Sequence, residues 1–340
     1  MKKKKIFFAL LVLILFISLL GLSNFQNHYL TKQVVWIVFG LGFFFLFKKF
    51  NINILLKYSL WIYIFNVFLL ILVLLIGKEI NGSKAWFSLG FGSFQPSELM
   101  KISLSLLYFK ILLDKKNNSL LLLVKIVILG FIPSILVFLE PDTGAIIMYL
   151  IIMLVALFSS KIKKVYLWVM ILLGLSSIII FVVLYFYHQD VIIKLLGTSI
   201  FYRIDRIIHF KNNYQLSQAL IYIGSAGLTG HKNTLYIPEA HTDFIFSFLI
   251  GRYGIILGFI IILCYFIMDL ILINNSRNNY LLKTFMCLFI YSQIENILMN
   301  IGLFPIMGIP LPFLSYGGTN TIILFMFLGI ITNKKARLVI

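Results

Sequence analysis

Long apolar runs separated by short polar segments form the dominant pattern along this chain. Most of the runs are close to the length of about 20 residues that a helix needs to cross the hydrocarbon core of a membrane. The pattern predicts ten membrane-spanning helices, at 6–23, 33–47, 53–77, 97–113, 120–139, 144–160, 165–187, 243–271, 282–302 and 316–332. The predicted fold class is therefore all-α, as a single polytopic membrane domain over residues 1–340.

The segment 188–242 is the one long loop between these runs. Within it, 214–230 is apolar enough to suggest an eleventh span, but another crossing would reverse the orientation of everything that follows. We therefore interpret 214–230 as a re-entrant or interfacial segment. The pattern at 201–208 predicts a short amphipathic helix that lies on the membrane.

Composition supports a membrane protein and gives the chain an orientation. The sequence is 61% hydrophobic, which excludes a soluble domain of 340 residues. Its net charge of +18 is spread over short basic runs between apolar stretches, so it marks topology rather than nucleic-acid binding. With the N-terminus inside, 19 of the 29 Lys and Arg residues fall at inner loops or inner helix ends, which predicts cytoplasmic termini. The lysines at 2–5 precede an apolar run too long for a cleaved signal peptide, so we expect an uncleaved first span.

The acidic residues follow the opposite distribution. Nine of the eleven Asp and Glu residues map to the predicted outer loops or to the spans that adjoin them. Acids contribute little to topology, so their crowding on one face needs another reason. Our hypothesis is that chemistry takes place on the outer face.

Four segments carry the candidate chemistry, and each lies at the outer end of a span. The first segment is 94–101, in which Pro96 suits the first turn of a helix. Glu98 and Lys101, three residues apart, then share one helix face. They are either a self-neutralising anchor pair or groups that line a cavity, and the cost of ionisable groups at that depth favours a cavity.

The second segment places Glu140 and Asp142 on either side of Pro141, in the turn between two predicted spans. Two carboxylates beside a proline fit ordinary turn chemistry as well as they fit a functional pair. This segment alone does not distinguish between the two interpretations.

The third segment, 236–246, holds Glu239, His241 and Asp243 within five residues at a predicted membrane–water boundary. Such a group of titratable side chains is typical of an acid/base site. The alternative is structural, because Thr242 or Asp243 can cap the helix that follows.

The fourth segment, 305–318, has three prolines within eight residues, which forbids a helix. Because it is also apolar, we expect a packed irregular segment that dips toward the membrane. Ser315, Gly317 and Gly318 would let a backbone or a ligand approach closely. In the preceding span, Glu295 needs a partner.

These segments together resemble a known family. The stretches FQPSELMK, EPDTG, YQLSQALIYIGSAGL, YIPEAHTDFIF and MGIPLPFLSYGGTN match, in order, signatures of the SEDS family (shape, elongation, division and sporulation), the RodA/FtsW/SpoVE group. The resemblance covers essentially the whole chain. It implies a peptidoglycan glycosyltransferase of the bacterial cytoplasmic membrane that polymerises lipid II on the outer face, in elongation, division or sporulation.

The resemblance also implies partners and roles. It makes Asp243 the leading catalytic residue, with Lys101 and Glu98 beside it. The expected partners are lipid II, a class B penicillin-binding protein and membrane lipid, with no nucleic acid. No cofactor is assigned, and a divalent cation stays an open alternative. The candidate substrate-binding residues are Glu239, His241, Arg203, Arg206, Lys232, Glu140, Asp142, Gln218, Ser315 and Gly317.

Two other functions compete with this interpretation. A flippase for the lipid-linked precursor should carry coupling groups near the bilayer midplane and the inner side, whereas nearly all acids here lie toward the outer side. A non-catalytic scaffold for a penicillin-binding protein would be suggested by loss of Asp243 or Lys101, and both are present. One departure from the family pattern occurs at Gly251 and Arg252, where acids are common.

Overall fold

The computed structural model describes residues 2–80, 82–88, 90, 92–114, 118–231, 236–276 and 279–333. Its helices, in chain order, are α1 (Lys2–Leu22), α2 (Asn27–Lys49), α3 (Ile52–Lys57), α4 (Ser59–Ile76), α5 (Pro96–Leu113), α6 (Ser119–Leu139), α7 (Thr143–Ser159), α8 (Lys164–Tyr187), α9 (Gln189–Leu196), α10 (Thr198–Ile208), α11 (Tyr214–Ser225), α12 (Ile245–Tyr253), α13 (Ile255–Ser276), α14 (Tyr280–Asn300) and α15 (Gly318–Thr332). Three strands, β1 (Lys78–Ile80), β2 (Ser83–Ser88) and β3 (Ser93–Phe94), lie between α4 and α5. They form an antiparallel sheet in the order β1-β2-β3.

Six of the described helices are long and apolar enough to cross a membrane, namely α1, α2, α4, α6, α8 and α13, and the shorter helices α7 and α15 are also apolar. Large apolar side chains such as Phe65 and Leu75 are exposed, whereas the polar side chains of Gln33 and Asn66 are buried. This distribution is expected of a chain surrounded by lipid. The predicted all-α, multi-pass membrane fold is confirmed, and the small sheet is an addition to it.

Helix α5 lies inside the bundle and contacts α4, α7, α14 and α15. Its buried serines Ser103 and Ser105 are hydrogen-bonded, as burial favours. The amide of Asn66 donates to Ser103 Oγ at 2.6 Å, and Ser105 Oγ donates to the carbonyl oxygen of Lys101 at 2.6 Å. Because most of α5 is enclosed, the acidic and basic groups of its first turn are held inside protein rather than in lipid.

The predicted span 243–271 is wrong as a single helix. Helix α12 ends at Tyr253 and α13 begins at Ile255, because Gly254 has a φ of +92°. A side chain there would also place its Cβ 2.1 Å from the carbonyl oxygen of Leu228. The predicted span 53–77 is likewise divided, into α3 and α4. The helices on either side of each break are largely apolar, so hydrophobic periodicity does not reveal the break.

The long loop is largely helical. The segment 214–230 contains α11, whose 12 residues are too few to cross a membrane. Helices α8, α9 and α10 pack together through Tyr185, Ile192 and Phe201, an apolar cluster separate from the main core. The Tyr185 hydroxyl also donates to Asp205 Oδ1 at 2.5 Å.

Candidate active site

All four sequence segments singled out above contribute to one cavity of about 420 Å³. The sheet, the first turns of α5, α7 and α15, and the irregular segments before α12 and α15 surround it. Seven of the candidate residues line it, namely Glu98, Lys101, Asp142, Glu239, His241, Asp243 and Gly317. Segments more than 200 residues apart in sequence therefore meet at one place.

Glu98 and Lys101 lie on the first turn of α5, which begins at Pro96. Lys101 Nζ is 2.7 Å from Glu98 Oε1, and the two side chains are only 13% and 10% exposed. The pair therefore neutralises itself and also lines the cavity, so both interpretations of this segment hold together. The lysine is a cation held within reach of any anion that enters the cavity.

Asp142 is both a helix cap and a cavity group. Its carboxylate accepts the backbone N–H of Ala145 at 2.9 Å, which caps α7, and the Gln95 side-chain amide at 2.8 Å. Burial raises the pKa of Asp142, while the Ala145 hydrogen bond and the charge of Lys101 act in the opposite direction. Turn chemistry and a place in the cavity are thus compatible here.

Glu140 does not line the cavity. Its side chain is fully buried, and both carboxylate oxygens are without a hydrogen-bond partner among the described residues. Burial, with a further contribution from Asp142, raises the pKa of Glu140 to about 8. Glu140 is therefore largely a neutral carboxylic acid at pH 7, away from the surface that a substrate would touch.

Asp243 lies in an irregular turn just before α12. The cap of α12 is Phe244, with no side-chain hydrogen bond, so the suggestion that Thr242 or Asp243 caps this helix is wrong. The carbonyl oxygen of Glu239 instead accepts the N–H groups of Thr242, Asp243 and Phe244 at 3.1–3.2 Å. Glu239 adopts a φ of +56°, an unfavourable backbone conformation of the kind that concentrates at functional sites.

The surroundings of the Asp243 carboxylate change its acidity. Asp243 lines the cavity, but protein surrounds it closely, and this loss of water raises its pKa to about 7. The negative charges of Glu239 and Asp142 contribute to the same shift. Asp243 can therefore exist both with and without its proton near neutral pH.

Two asparagines of α14 hold the backbone of Asp243. Asn296 Nδ2 and Asn300 Nδ2 each donate to the Asp243 carbonyl oxygen at 3.0 Å. Asn296 also donates to the carbonyl oxygen of Ile309 at 3.0 Å, and Asn300 Oδ1 accepts the backbone N–H of Ser247 at 3.0 Å. These contacts tie the turn that carries Asp243 to α12 and to the proline-rich segment.

His241 is packed among aromatic rings. Its ring centroid is 4.3 Å from that of Tyr29 and 5.6 Å from that of Tyr316, and its Nε2 lies 4.0 Å from Glu239 Oε2. Burial lowers the pKa of His241, and this outweighs the opposing effect of Glu239. The imidazole is therefore predominantly neutral at pH 7, a hydrogen-bonding group rather than a cation.

The proline-rich segment before α15 forms the other wall. Gly317 lines the cavity and donates its N–H to Gln33 Oε1 at 3.3 Å. Ser315 is buried instead, and its hydroxyl accepts the backbone N–H of Leu311 at 2.8 Å. Ser315 therefore stabilises the turn and does not face the cavity.

The remaining candidates lie elsewhere. Arg203 and Arg206 are exposed on α10, and Gln218 is half-buried on α11; none of the three lines the cavity. The apolar face of α10 packs on α9 and α8, which leaves the arginines facing away from the packed side. Lys232 lies outside the described residues.

Sequence reasoning missed the contribution of α2 and of the sheet. Trp36 of α2 and Trp86 of β2 line the cavity, as do Thr319 and Asn320 at the start of α15. Trp36 lies in a predicted span and Trp86 in the loop between two predicted spans, and an aromatic residue is ordinary at both places, so the sequence offered no signal for them. Among the described residues, no group of three His, Cys, Asp or Glu side chains is arranged to hold a metal ion.

The fold and the cavity define a multi-pass helical membrane protein with a polar, charged cavity built at the ends of its helices. The chain matches the FtsW/RodA/SpoVE family, described as "cell cycle protein", over residues 4–338. It therefore belongs to this family, and the resemblance predicted from its motifs is confirmed.

Named relatives agree with this membership. The chain is 31% identical to the probable peptidoglycan glycosyltransferase FtsW of Wigglesworthia glossinidia brevipalpis, over 93% of this chain and 86% of that protein. It is also 31% identical to the protein of the same name from Coxiella burnetii, over 89% of this chain and 85% of that one.

Solved structures show the same fold. A chain from a peptidoglycan synthase complex superposes with a TM-score of 0.80 at 24% identity, over 96% of this chain and 95% of that one. RodA of Thermus thermophilus superposes with a TM-score of 0.70 at 24% identity, over 96% of this chain and 94% of that one.

Proposed function

We propose that this protein is a peptidoglycan glycosyltransferase that polymerises lipid II into glycan strands. The observation that carries the proposal is the cavity that holds a carboxylate with a pKa of about 7, Asp243, together with a buried lysine, Lys101. A glycosyl transfer needs a base for the attacking hydroxyl and a cation for the leaving group. The names of the relatives and the family membership support the same reaction.

Each residue has a role in the proposed transfer. A sugar hydroxyl attacks the anomeric carbon of the donor, a glycosidic C–O bond forms, and the bond from that carbon to the pyrophosphate oxygen breaks. Asp243 accepts the hydroxyl proton, which requires its ionised form. The electron pair of the broken bond leaves with the pyrophosphate, and Lys101 stabilises that negative charge.

Several groups would orient these two. Glu98 holds the Lys101 ammonium at 2.7 Å, and Asn296 and Asn300 hold the backbone of Asp243. Glu239 and His241, which line the same cavity, are suited to hydrogen-bond the hydroxyl groups of the sugar. Interactions of this kind accelerate transfer by fixing reacting groups in place.

The predicted orientation of the chain supports a substrate on the outer face. A lipid-linked substrate explains why the cavity lies at the helix ends, and the basic residues of the opposite loops would place this end on the outer face. The superposition on a chain of a complex described as coordinating polymerization and crosslinking supports a class B penicillin-binding protein as partner.

The proposal is tested with purified protein, lipid II, and the cognate transpeptidase present or absent. We expect the wild type to form glycan strands and Asp243→Asn to lose at least about a hundredfold in rate, because the base is removed without a change in size. Asp190→Asn, an exposed acid of α9, is the matched control and should keep its rate. Normal polymerisation by Asp243→Asn would refute the assignment of the base.

A further inference from the structure

Helices α8, α9 and α10 form an arm (164–208) with an apolar cluster of its own, separate from the main core. Helix α8 is apolar and long enough to cross a membrane, and Tyr185 is its one buried residue. The Tyr185 ring stacks on Phe201 of α10 with the ring centroids 5.8 Å apart, and its hydroxyl donates to Asp205 Oδ1 at 2.5 Å. Helix α10 is therefore fastened to the C-terminal end of α8.

The length of α8 gives the depth at which α10 lies. Its 24 residues, from Lys164 to Tyr187, correspond to about 36 Å of helix, whereas the hydrocarbon core is about 30 Å thick. Tyr185 is thus at the boundary between the hydrocarbon and the headgroups. The two aromatic residues that follow it, Phe186 and Tyr187, are exposed, as aromatic side chains at the headgroup level commonly are. Because α10 contacts Tyr185, it lies at the level of the headgroups.

Two arginines of α10 point away from the rest of the arm. Phe201 and Ile204 belong to the apolar cluster, on the side of α10 that packs on α8 and α9. At about 100° per residue, Arg203 and Arg206 lie on the opposite side from Phe201, and their spacing of three places them side by side. Both side chains are exposed.

The charge of these arginines is not neutralised within the arm. Asp205, the acid between them, accepts from Tyr185 and also interacts through Oδ1 with His209 Nδ1 at 3.0 Å. Within the part of the chain that the structure describes, Arg203 and Arg206 have no ion pair and no side-chain hydrogen bond. Residues 188–213 as a whole contain four Lys and Arg residues and two Asp residues. The exposed face of α10 is therefore a basic surface.

The depth of this surface indicates what it binds. Headgroup phosphates are present on all sides at this level, and a guanidinium group binds phosphate through two parallel hydrogen bonds. The long arginine side chain can extend along the interface to reach them. Neither arginine lines the cavity, so a phosphate bound here is distinct from one held beside Lys101.

We propose that Arg203 and Arg206 form a binding site for the phosphate groups of anionic phospholipids, which holds the arm at the membrane surface. The site is separate from the cavity, and it does not depend on the reaction proposed above. The same basic helix would bind lipid in a protein that catalysed a different transfer.

The test measures which lipids lie beside α10 in vesicles that contain the full-length protein. A bimane label on Tyr202→Cys, in a chain whose Cys264 and Cys287 are replaced by alanine, reports quenching by nitroxide-labelled phosphatidylglycerol or phosphatidylcholine. We expect phosphatidylglycerol to be enriched at least about fivefold beside the label, since one basic residue near the surface strengthens anionic lipid binding by about that factor. Arg203→Gln/Arg206→Gln should abolish the enrichment.

Two matched variants control for charge and position. Arg203→Lys/Arg206→Lys keeps both charges and should keep most of the enrichment. Lys48→Gln/Lys49→Gln removes two exposed charges at the end of α2, on the predicted opposite side of the membrane, and should keep all of it. Thermal unfolding identifies a misfolded glutamine variant, in which case the single variants Arg203→Gln and Arg206→Gln, each expected to lower the enrichment, decide the matter.

The outcomes distinguish the ligands that a basic surface could take. Enrichment that survives in Arg203→Gln/Arg206→Gln would overturn the site. A wild type that does not prefer phosphatidylglycerol would also overturn it and would favour an acidic protein as the partner of α10. Undecaprenyl diphosphate, added as a minor component, should leave the quenching unchanged; if it displaced the labelled phosphatidylglycerol, the assignment to phospholipid would be wrong and the site would belong to a lipid diphosphate.

Discussion

Burial of the Asp243 carboxylate is the main cause of its raised pKa, and the negative charges of Glu239 and Asp142 act in the same direction. An aspartate in water ionises near pH 4, whereas the pKa of Asp243 is raised to about 7. A base is most effective when its pKa lies close to the working pH. The fold therefore converts an ordinary acid into a group suited to proton transfer at neutral pH.

This shift predicts a pH dependence with two opposite signs. We expect the polymerisation rate to rise as the pH increases through about 7, since only ionised Asp243 accepts the proton. We expect stability to change the other way. The folded pKa lies above the unfolded value, so the contribution of Asp243 to the free energy of unfolding falls between about pH 4 and pH 7.

A pH–rate profile of kcat/KM and thermal unfolding in detergent measure the two effects. Asp243→Asn removes the titration, so its stability relative to the wild type should increase over the same pH range. A profile that stays flat from pH 6 to 8 would contradict the role of this carboxylate.

Lys101 and Glu98 allow a structural role to be distinguished from a catalytic one. Lys101→Met leaves the nearly buried Glu98 carboxylate without its cation, so we expect a loss of roughly 3–5 kcal/mol in the free energy of unfolding. The double variant Lys101→Met/Glu98→Gln removes both charges and should recover most of that stability.

Activity should respond differently. We expect both variants to lose roughly a hundredfold or more in kcat, because neither supplies a cation to the leaving group. Lys49→Met, an exposed lysine at the end of α2, is the control. A double variant that regains activity along with stability would show that Lys101 only supports the fold.

At the scale of elements, the break between α12 and α13 makes room for the turn at 227–230. Gly254 has a φ of +92° and fits closely against the backbone of Leu228. A continuous helix from 243 to 271 would leave no room for the 227–230 turn, whose Gly227 carbonyl accepts the N–H of Ile255 at 3.1 Å. The glycine is thus required by conformation and by space together.

We therefore expect Gly254→Ala to lower the free energy of unfolding by more than about 2 kcal/mol. Gly174→Ala is the matched control, because Gly174 lies inside α8 with no atom within 4 Å of an added Cβ. That substitution should leave stability unchanged or raise it by about 0.5–1 kcal/mol. Thermal unfolding of both variants measures the difference, and equal effects would contradict the requirement at Gly254.

At the scale of the molecule, the orientation of the chain in the membrane decides whether the cavity faces the side on which its proposed substrate lies. The basic residues predict that position 161 faces the cytoplasm and position 212 the outside. We expect a cysteine at Asn212 to react with a membrane-impermeant maleimide in intact cells, and a cysteine at Lys161 to react only after permeabilisation. Cys264 and Cys287 would first be replaced by alanine. The reverse labelling pattern would place the cavity on the wrong side for the proposed reaction.

Prediction from sequence succeeded where a residue's own neighbours along the chain decide the outcome. The pairing of Glu98 with Lys101 follows from their spacing on one helix turn, and the irregular path of 305–317 follows from its prolines. It did not reveal that Arg203 and Arg206 lie on α10 and do not line the cavity, because a basic residue in a loop carries no information about the direction in which its helix packs.

The sequence by itself determined that this chain belongs in a membrane, which family it joins and which short segments carry charged groups. These properties depend on hydrophobic runs and on motifs, both of which are local. Tertiary structure alone decided that Asp243, Lys101 and Trp36 share one cavity, and that Glu140 and Ser315 do not line it. The physical reason is that burial and electrostatic coupling depend on contacts between residues far apart in the sequence, and no local pattern encodes such contacts. The asparagines of α14 that hold the backbone of Asp243 are one example.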